Sequence, residues 1–398
     1  MISLREALEQ VRTNKRNFGT EYLYFTEAQG RILAEDVYAD RDFPPFDRVA
    51  MDGIAINFSA FEQGIVSFKI ENIQAAGEPR KVLQAKANCM EVMTGAILPG
   101  NTDTVIPYEE FRIENGHALI EAESGKLKKY RNVHQQGTDS RQGSVLLKKG
   151  LKIKSAHIGI LASAGIQEVP VLKAPSVAIC STGDELVDVD KKPELHQLRK
   201  SNVYMLLAAL RKQGISADLF HFKDDKSTLL EGIGDLRKKY DVLLFSGAVS
   251  RGKFDYLPEV LDALGLTTIF HRVAQKPGKP VLFGAFENGP FVFGFPGNPV
   301  STFVCYHLFF LEWLNSSYGS ENRAVPVRLN SQVVFKPQLS YHLLVSVASG
   351  DSVGEASPVI GSGSGDLPGL AYADGFITLP AEREVFDEGE LFNFKEFE

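Results

Sequence analysis

Apolar residues recur near the start of the chain at Leu4, Ala7, Leu8 and Val11, with charged and amide residues between them. That spacing puts the four on one face and predicts a helix over residues 3–15. Between Tyr22 and Asp40 the pattern gives a second short helix and an extended stretch, LAEDVYA. The pattern breaks at DFPPFDRVAMDG, where the Pro44–Pro45 pair favours extended backbone and interrupts any helix. From about 54 to 139 short apolar runs alternate with turns: GIAINF, VSFKIENI, ANCMEVM, DTVIPYEEF and HALIEAES. These predict a compact β-rich domain. Residues 143–170 supply a strand, SVLLKKG, and an apolar helix, SAHIGILASAG, expected to rejoin the N-terminal segment and so make the β-rich part an insertion.

From 175 to 315 the rhythm changes to strand–helix alternation. SVAICSTG is a strand, and SNVYMLLAALRKQG a helix with Ser201 or Asn202 as its N-cap and Gly214 as its stop. ISADLFHF, DVLLFSG and TTIFHRV are further strands, KSTLLEGIGDLRKKY and YLPEVLDALG further helices, and VFGFPG leads into the helix NPVSTFVCYHLFFLEWL. Such alternation implies a parallel sheet with right-handed crossovers, whose ligands bind beyond the C-terminal strand ends. Residues 318–398 return to short strands with Gly-rich turns, SGDSVGEASP and IGSGSGDLPG, and predict a second small β domain.

Three loops of the alternating segment carry chemistry. In SGAVSRGKFDY, Gly247 and Gly252 permit close backbone approach, Ser246 and Ser250 can donate to phosphate oxygens, and Asp255 precedes the next helix. A plain strand–helix turn with a helix-start carboxylate reads equally well. KPGKP holds Lys276 and Lys279 in a loop stiffened by Pro277 and Pro280; alone it reads as a solvated turn. GFPGNPVS turns at Pro296 and Gly297, then places Pro299 at a helix start, leaving first-turn N–H groups to face whatever lies beyond the strand. Helix capping accounts for the same residues. STGDEL adds Ser181, Thr182, Gly183 and either Asp184 or Glu185; MDG adds Asp52, and MTGAILPG adds Thr94 and Gly95. Each of these also reads as a turn former. Together, cations and carboxylates in such loops suit a phosphorylated ligand held with a divalent ion.

Length, at 398 residues, implies roughly two to four domains. A net charge of -7 argues against a general nucleic-acid binder but not against a small phosphorylated ligand. Cys89, Cys180 and Cys305 form no CxxC pair and give no disulfide framework. MISLREALEQV has charges where a signal peptide needs an apolar run, and the apolar run Phe303 to Leu314 is too short to span a bilayer. A cytoplasmic protein without membrane partners is expected. The GxSxG match GDSVG, at 350–354, lies in the Gly-rich turn SGDSVGEASP of the last β segment rather than at a strand–helix junction, and no zinc-spaced His/Cys cluster is present in the sequence.

The motifs PPFDRVAMDGIAI, MTGAILPGNTDTVIPYE, STGDEL, SNVYML, SGAVSRGKFDY, KPGKP and GFPGNPVS occur in one order over residues 44–301. In order and spacing they resemble the molybdopterin molybdenumtransferase family, which includes bacterial MoeA and the E domain of gephyrin. The resemblance implies a multidomain α/β plus β fold. It has an elongated part from residues 1–44 and 142–172 and an inserted β-rich domain over 45–141. A central α/β molybdopterin-binding domain with a parallel-rich sheet over 173–316 and a C-terminal β barrel over 317–398 complete it.

The implied activity is insertion of molybdenum from molybdate into adenylylated molybdopterin, releasing AMP, with Mg²⁺ or a similar divalent ion. A homodimer is implied, with Asp52, Thr94, Gly95 and Asp139 of one subunit serving the other, and other cofactor-biosynthesis enzymes as further partners. Carried over residue by residue, Lys276 and Lys279 bind oxyanions and Glu185 anchors the pterin or orders a water. Asp139, Asp224 and Asp255 hold the metal, with Asp225 an adjacent alternative to Asp224. Ser181, Thr182, Gly183, Ser246, Gly247, Ser250, Pro296, Pro299 and Ser362 contact the pterin ligand, with Ser364 beside the last. Two positions depart from the family's SGGVSVG-like loop, Ala248 and Arg251. The resemblance leaves two alternatives: a molybdopterin adenylyltransferase, and a peptide-binding scaffold like gephyrin's E domain.

Overall fold

The computed structural model describes residues 1–121, 127–247, 249, 255–320, 325–349 and 353–397. It divides into two compact units, one of Tyr24–Glu27 and Glu35–Val169, the other of Met1–Leu23, Ala28–Ala34 and Pro170–Glu398.

The first unit is built on a six-stranded sheet of Gly53–Ile56 (β1), Ser67–Gln74 (β2), Asn88–Val92 (β3), Thr104–Pro107 (β4), Phe111–Glu114 (β5) and His117–Ile120 (β6). The strand order is β4-β1-β3-β2-β6-β5, and only the β2–β3 pair is parallel. All four residues of β1 are buried. Ile54 and Ile56 pack with Phe68, Cys89 and Ile106, while Ala55 packs with Val49, Val92 and Val105. A central strand covered on both faces must be apolar at every position, which is why GIAI does not alternate. Val145–Leu147 pairs with Val37–Tyr38, so the chain returns beside the segment that precedes the sheet.

The second unit opens with helix α1, Leu4–Thr13. Its amphipathic spacing is sealed by a capping box, in which Ser3 Oγ accepts from Glu6 N–H at 3.2 Å and Glu6 Oε2 accepts from Ser3 N–H at 2.8 Å. The buried Ala7 and Val11 join a core with Phe283, Phe293, Phe309, Phe310 and Trp313, all fully buried. Each such ring contributes about 1.5–3 kcal/mol by leaving water.

The main sheet consists of Val177–Thr182 (β7), Ala217–Phe222 (β8), Val242–Ser246 (β9), Leu266–His271 (β10), Leu282–Phe286 (β11) and Phe291–Phe295 (β12), in the order β8-β7-β9-β12-β11-β10. Helices Asn202–Lys212 (α2), Lys226–Leu236 (α3) and Leu257–Ala263 (α4) connect its strands. Strands β8, β7, β9 and β12 are parallel, as the alternation predicts. Strand β11 is the exception: it runs antiparallel to both of its neighbours, β12 and β10, so β10 points the same way as the parallel four. The reason is local. Only Glu287–Pro290 separates β11 from β12, and Asn288 sits at φ 52° in that turn. So short a connection can make only a hairpin.

The predicted helix after β12 is split into Pro299–Cys305 (α5), a π-helical turn over Tyr306–Phe310, and Leu311–Ser317 (α6). Beyond it, Val325–Leu329 (β13), Ser340–Ala348 (β14), Gly354–Pro358 (β15), Gly375–Leu379 (β16) and Leu391–Glu396 (β17) pair in the cycle β14-β15-β13-β17-β16-β14. The ring is a closed five-stranded barrel. A two-residue strand, Gln275–Lys276, clips onto it by pairing with Ser340–Tyr341 of β14.

Candidate active site

A cleft of about 880 Å³ opens at the C-terminal ends of β7, β9 and β12. Its walls include Ser181, Thr182 and Gly183 after β7, Ser246 and Gly247 after β9, Pro296–Pro299 after β12, and the carboxylates Glu185, Asp224 and Asp255. This is where a doubly wound sheet places ligands. Ser250, and with it Ala248, Arg251 and Gly252, lies outside the described residues.

The loops are tied together by Asn202, the first residue of α2. Its Nδ2 donates to Ser246 Oγ at 2.8 Å, Gly297 carbonyl at 2.7 Å and Thr302 Oγ1 at 3.3 Å. Of the two caps that the sequence offers, Ser201 or Asn202, Ser201 is the cap residue, and it makes no capping bond through its side chain. Asn202 Oδ1 and Thr182 Oγ1 are both buried without a hydrogen-bond partner. Unmet acceptors and hydroxyls on the floor of a cleft are normally completed by water or ligand. Gly247 N–H is already engaged by Phe295 carbonyl at 3.0 Å, and Val300 N–H by Ser364 carbonyl at 3.1 Å. Both therefore leave the pool of free donors that the loop sequences suggest.

The carboxylates are distinguishable. Asp225 caps α3, its Oδ2 accepting from Thr228 N–H at 2.8 Å, Thr228 Oγ1 at 2.8 Å and Ser227 Oγ at 2.5 Å. These bonds pull its pKa down to about 2. Its neighbour Asp224 faces the cleft. Burial first, then the charges of Glu185, Asp184 and Asp255, raise the Asp224 pKa above the ordinary aspartate value. Glu185 folds back over Gly183, at φ 132°, where any side chain would collide with the glutamate carboxyl. Among the described residues no three His, Cys, Asp or Glu side chains form a closed metal-holding group. The wall of Glu185, Asp224 and Asp255 offers hard oxygen donors, which suit Mg²⁺, while Arg199 and Lys200 line the same cleft and Lys200 pairs with Asp188 at 2.7 Å. Mg²⁺ characteristically takes one or two carboxylates and completes its shell with water and phosphate oxygens.

The lysine loop occupies a second cavity, of about 630 Å³, that shares Pro280, Pro296 and Asn298 with the first. Lys276, Lys279, Ser362 and Ser364 line it. The Gly-rich loop is fastened by Asn298 Nδ2, which donates to Ser364 Oγ at 2.8 Å, and by Asp366 Oδ2, which accepts from Ser362 N–H at 2.8 Å. Lys276 Nζ stands 5.6 Å from the Phe335 ring centroid, and Phe335 stacks on Tyr341 at 4.2 Å. One acidic cleft and one lysine-bearing cavity thus replace the single cradle suggested by the loops.

In the other unit, Asp52 Oδ1 accepts from Thr94 N–H at 2.6 Å and Thr94 Oγ1 at 2.8 Å, and these bonds lower the Asp52 pKa. Gly95 N–H donates to Val49 carbonyl at 2.9 Å, holding the two motifs side by side. Asp139 is held differently, against His134 Nε2 at 2.9 Å, while His134 Nδ1 meets Arg48 at 3.1 Å. Sequence reasoning did not single out Gln275, Asn298 or His342. Asn202 and Asn298 each precede an apolar helix, so each reads as a cap, although their side chains reach across the fold.

Residues 2–165 match the MoeA N-terminal region (domain I and II), residues 178–316 a family described as "Probable molybdopterin binding domain", and residues 326–397 the MoeA C-terminal region (domain IV). A molybdopterin molybdenumtransferase of Synechocystis sp. is 40% identical over 401 residues, covering 99% of each chain. One from Staphylococcus aureus is 33% identical over 314 residues, covering 77% of this chain and 74% of that one. The crystal structure of a molybdopterin biosynthesis MoeA protein from Pyrococcus horikosii aligns with a TM-score of 0.80 at 32% identity. It covers 100% of this chain and 99% of that one.

Proposed function

Because the chain belongs to the molybdopterin molybdenumtransferase family, we propose that it inserts molybdenum from molybdate into adenylylated molybdopterin, releasing AMP, as a transferase of molybdenum cofactor biosynthesis. The observation that carries this is the pair of adjoining cavities with a common wall at Pro280, Pro296 and Asn298. An acidic cleft suits a pyrophosphate accompanied by a divalent cation. A neighbouring cavity with two lysines and three serines suits a free oxyanion.

In this assignment Asp224 and Asp255 would hold Mg²⁺ or a similar ion, with Asp139 a further ligand supplied by the second subunit of the proposed homodimer. The ion, when bound, neutralises charge on the phosphate oxygens. Lys276 and Lys279 attract and hold molybdate. Thr182, Asn202 and the loops after β7, β9 and β12 orient the pterin ligand, with Ser181, Gly183, Ser246, Gly247, Pro296 and Pro299 forming its bed. Glu185 anchors the pterin or orders the water that cleaves the P–O–P bond to AMP. Asp52, with Thr94 and Gly95, helps position the substrates. Positioning and electrostatics do most of the work, as in other phosphoryl chemistry. Homodimerisation, the cytoplasm as compartment, and the four-part division into 1–44 with 142–172, 45–141, 173–316 and 317–398 belong to the same proposal. Among the described residues no helix is long and apolar enough to cross a membrane.

The test is molybdate-dependent AMP release from adenylylated molybdopterin. Asp255→Ala should abolish it while the far-ultraviolet dichroism stays that of the parent. AMP release at the parent rate would remove Asp255 from its role. Turnover of ATP with molybdopterin, without use of adenylylated cofactor, would replace the whole assignment by an adenylyltransferase.

A further inference from the structure

Beneath the lysine loop runs a chain of buried polar groups. Gln275 is fully buried, and His342 is 1% exposed. Gln275 Nε2 donates to Gly278 carbonyl at 3.0 Å and approaches Cys305 Sγ at 3.6 Å. Its Oε1 must then be an acceptor, and His342 Nε2 lies 3.1 Å from it. That fixes the imidazole tautomer with the proton on Nε2 and leaves Nδ1 to accept from Thr378 Oγ1 at 3.0 Å. His342 and Thr378 are directly opposed across β14 and β16. The bonds therefore run in one direction, from Thr378 through His342 and Gln275 to the carbonyl of Gly278.

Gly278 is the turn of KPGKP, between Lys276 and Lys279. It sits at φ 89°, and a Cβ there would strike Cys305 Sγ and come within 2.9 Å of Gln275 Nε2. The loop is thus pressed onto the chain's last donor with no room for slack. Burial keeps His342 neutral, lowering its pKa to about 3, so the same tautomer persists at any pH where the protein works. A neutral, directionally fixed chain suits a scaffold better than a proton relay, because none of its members changes charge.

We propose that Gln275 and His342 are positioning residues for molybdate: through Gly278 they fix the backbone that aims Lys276 and Lys279 into the second cavity. This rests on the oxyanion role given above to that cavity. Lysines held by a rigid turn lose less freedom on binding an anion, so loosening the turn weakens the anion site first. The cleft that takes the adenylylated pterin shares only Pro280 of the lysine loop, and its other walls come chiefly from the loops after β7, β9 and β12 and from the start of α2.

The experiment compares the parent with Gln275→Leu/His342→Leu, an apolar pair that leaves few partners orphaned, and with Thr378→Val, which removes the first donor of the chain without changing its shape. Steady-state AMP release is measured with molybdate and adenylylated molybdopterin varied separately, and molybdate binding alone by calorimetry. We expect the KM for molybdate to rise roughly tenfold in the double variant, the size set by one lost buried hydrogen bond. Thr378→Val should give a smaller rise of the same kind. In both, kcat at saturating molybdate and the KM for the adenylylated pterin should stay at parent values. An unchanged molybdate KM in folded variants overturns the proposal, and so does a parallel loss for both substrates, which marks a merely structural role. Should the double variant not fold, Thr378→Val decides by the same outcomes. Lys276→Ala and Lys279→Ala separate this from the underlying assignment. If they use molybdate as the parent does, the oxyanion role of the cavity fails, whatever the buried chain does.

Discussion

Asn202→Ala isolates the clamp that holds the cleft loops together. Two of the three bonds lost, at 2.7 and 2.8 Å, have good length, and the third, at 3.3 Å, is marginal. At about 1 kcal/mol net for each good bond, the loops lose roughly 2 kcal/mol of mutual stabilisation. Since 1.4 kcal/mol is a factor of ten, the assembled arrangement is disfavoured by about thirtyfold relative to loosened ones. Trp313 is the only tryptophan and is fully buried in the same unit, so its fluorescence reports the unfolding of that unit. The urea midpoint should fall with an unchanged slope, the signature of lost stability without a change in exposed surface. The kcat/KM for adenylylated molybdopterin should fall at least about tenfold. Asn202→Asp keeps the size, removes both donor hydrogens and adds charge beside the acidic wall, so it should be worse than alanine. An alanine variant with the parent's midpoint and kcat/KM would refute the clamp.

Three further outcomes follow from particular groups. Asp224 has a raised pKa, so its contribution to folding is present at low pH and is lost as pH rises through that pKa. Asp224→Asn should therefore raise the melting temperature near neutral pH. In the parent, calorimetric Mg²⁺ or Mn²⁺ affinity should weaken on acidification, starting at a higher pH than an ordinary aspartate would give, and the variant should lack this dependence. Gly278→Ala forces a side chain onto φ 89° and against Cys305; a loss of about 2 kcal/mol or more is expected in thermal unfolding, partly recovered by adding Cys305→Ala. All three cysteines are buried, and burial pushes their pKa values up, that of Cys89 to about 12. None should react with a disulfide reagent in the native protein, and all three should react in urea; one fast-reacting native thiol would contradict the packing.

The sequence made the loops legible because each carries its own local signature: a strand end, a glycine or proline, a polar side chain. It also made legible the switch from β-rich to alternating segments, and the amphipathic start. It left open which of Asp224 and Asp225 faces a ligand, because adjacent carboxylates in a loop look alike until the helix start claims one of them. It placed the lysines in the same cradle as Gly247 and Pro296, because nothing in KPGKP says which sheet Gln275–Lys276 will join. That pairing is set by residues 340 and 341, more than sixty positions later in the chain. The hairpin at Glu287–Pro290 was hidden for another reason: strand–helix alternation up to β10 predisposes the reader to one more crossover. Asn202 and Asn298 were hidden behind an easier explanation, since asparagine before an apolar helix ordinarily caps it.

The attachment of Gln275–Lys276 to β14 bears on how such a protein can be taken apart or recombined. The matched family regions suggest natural seams near residues 316 and 326. A graft or truncation cut there would carry away the whole α/β sheet with the loops after β7, β9 and β12, the last of them parted from its bonds to Ser364. It would leave behind the barrel strand that sets the register of the lysine turn, and with it Thr378, His342 and the Gly-rich segment around Ser362. The excised part would keep most of the first cleft, losing Gly365 and Leu367 from its lining, and would lose the shape of the neighbouring cavity. What looks in the sequence like a tail after a finished domain is one wall of the chamber, and modularity here ends before the second cavity begins.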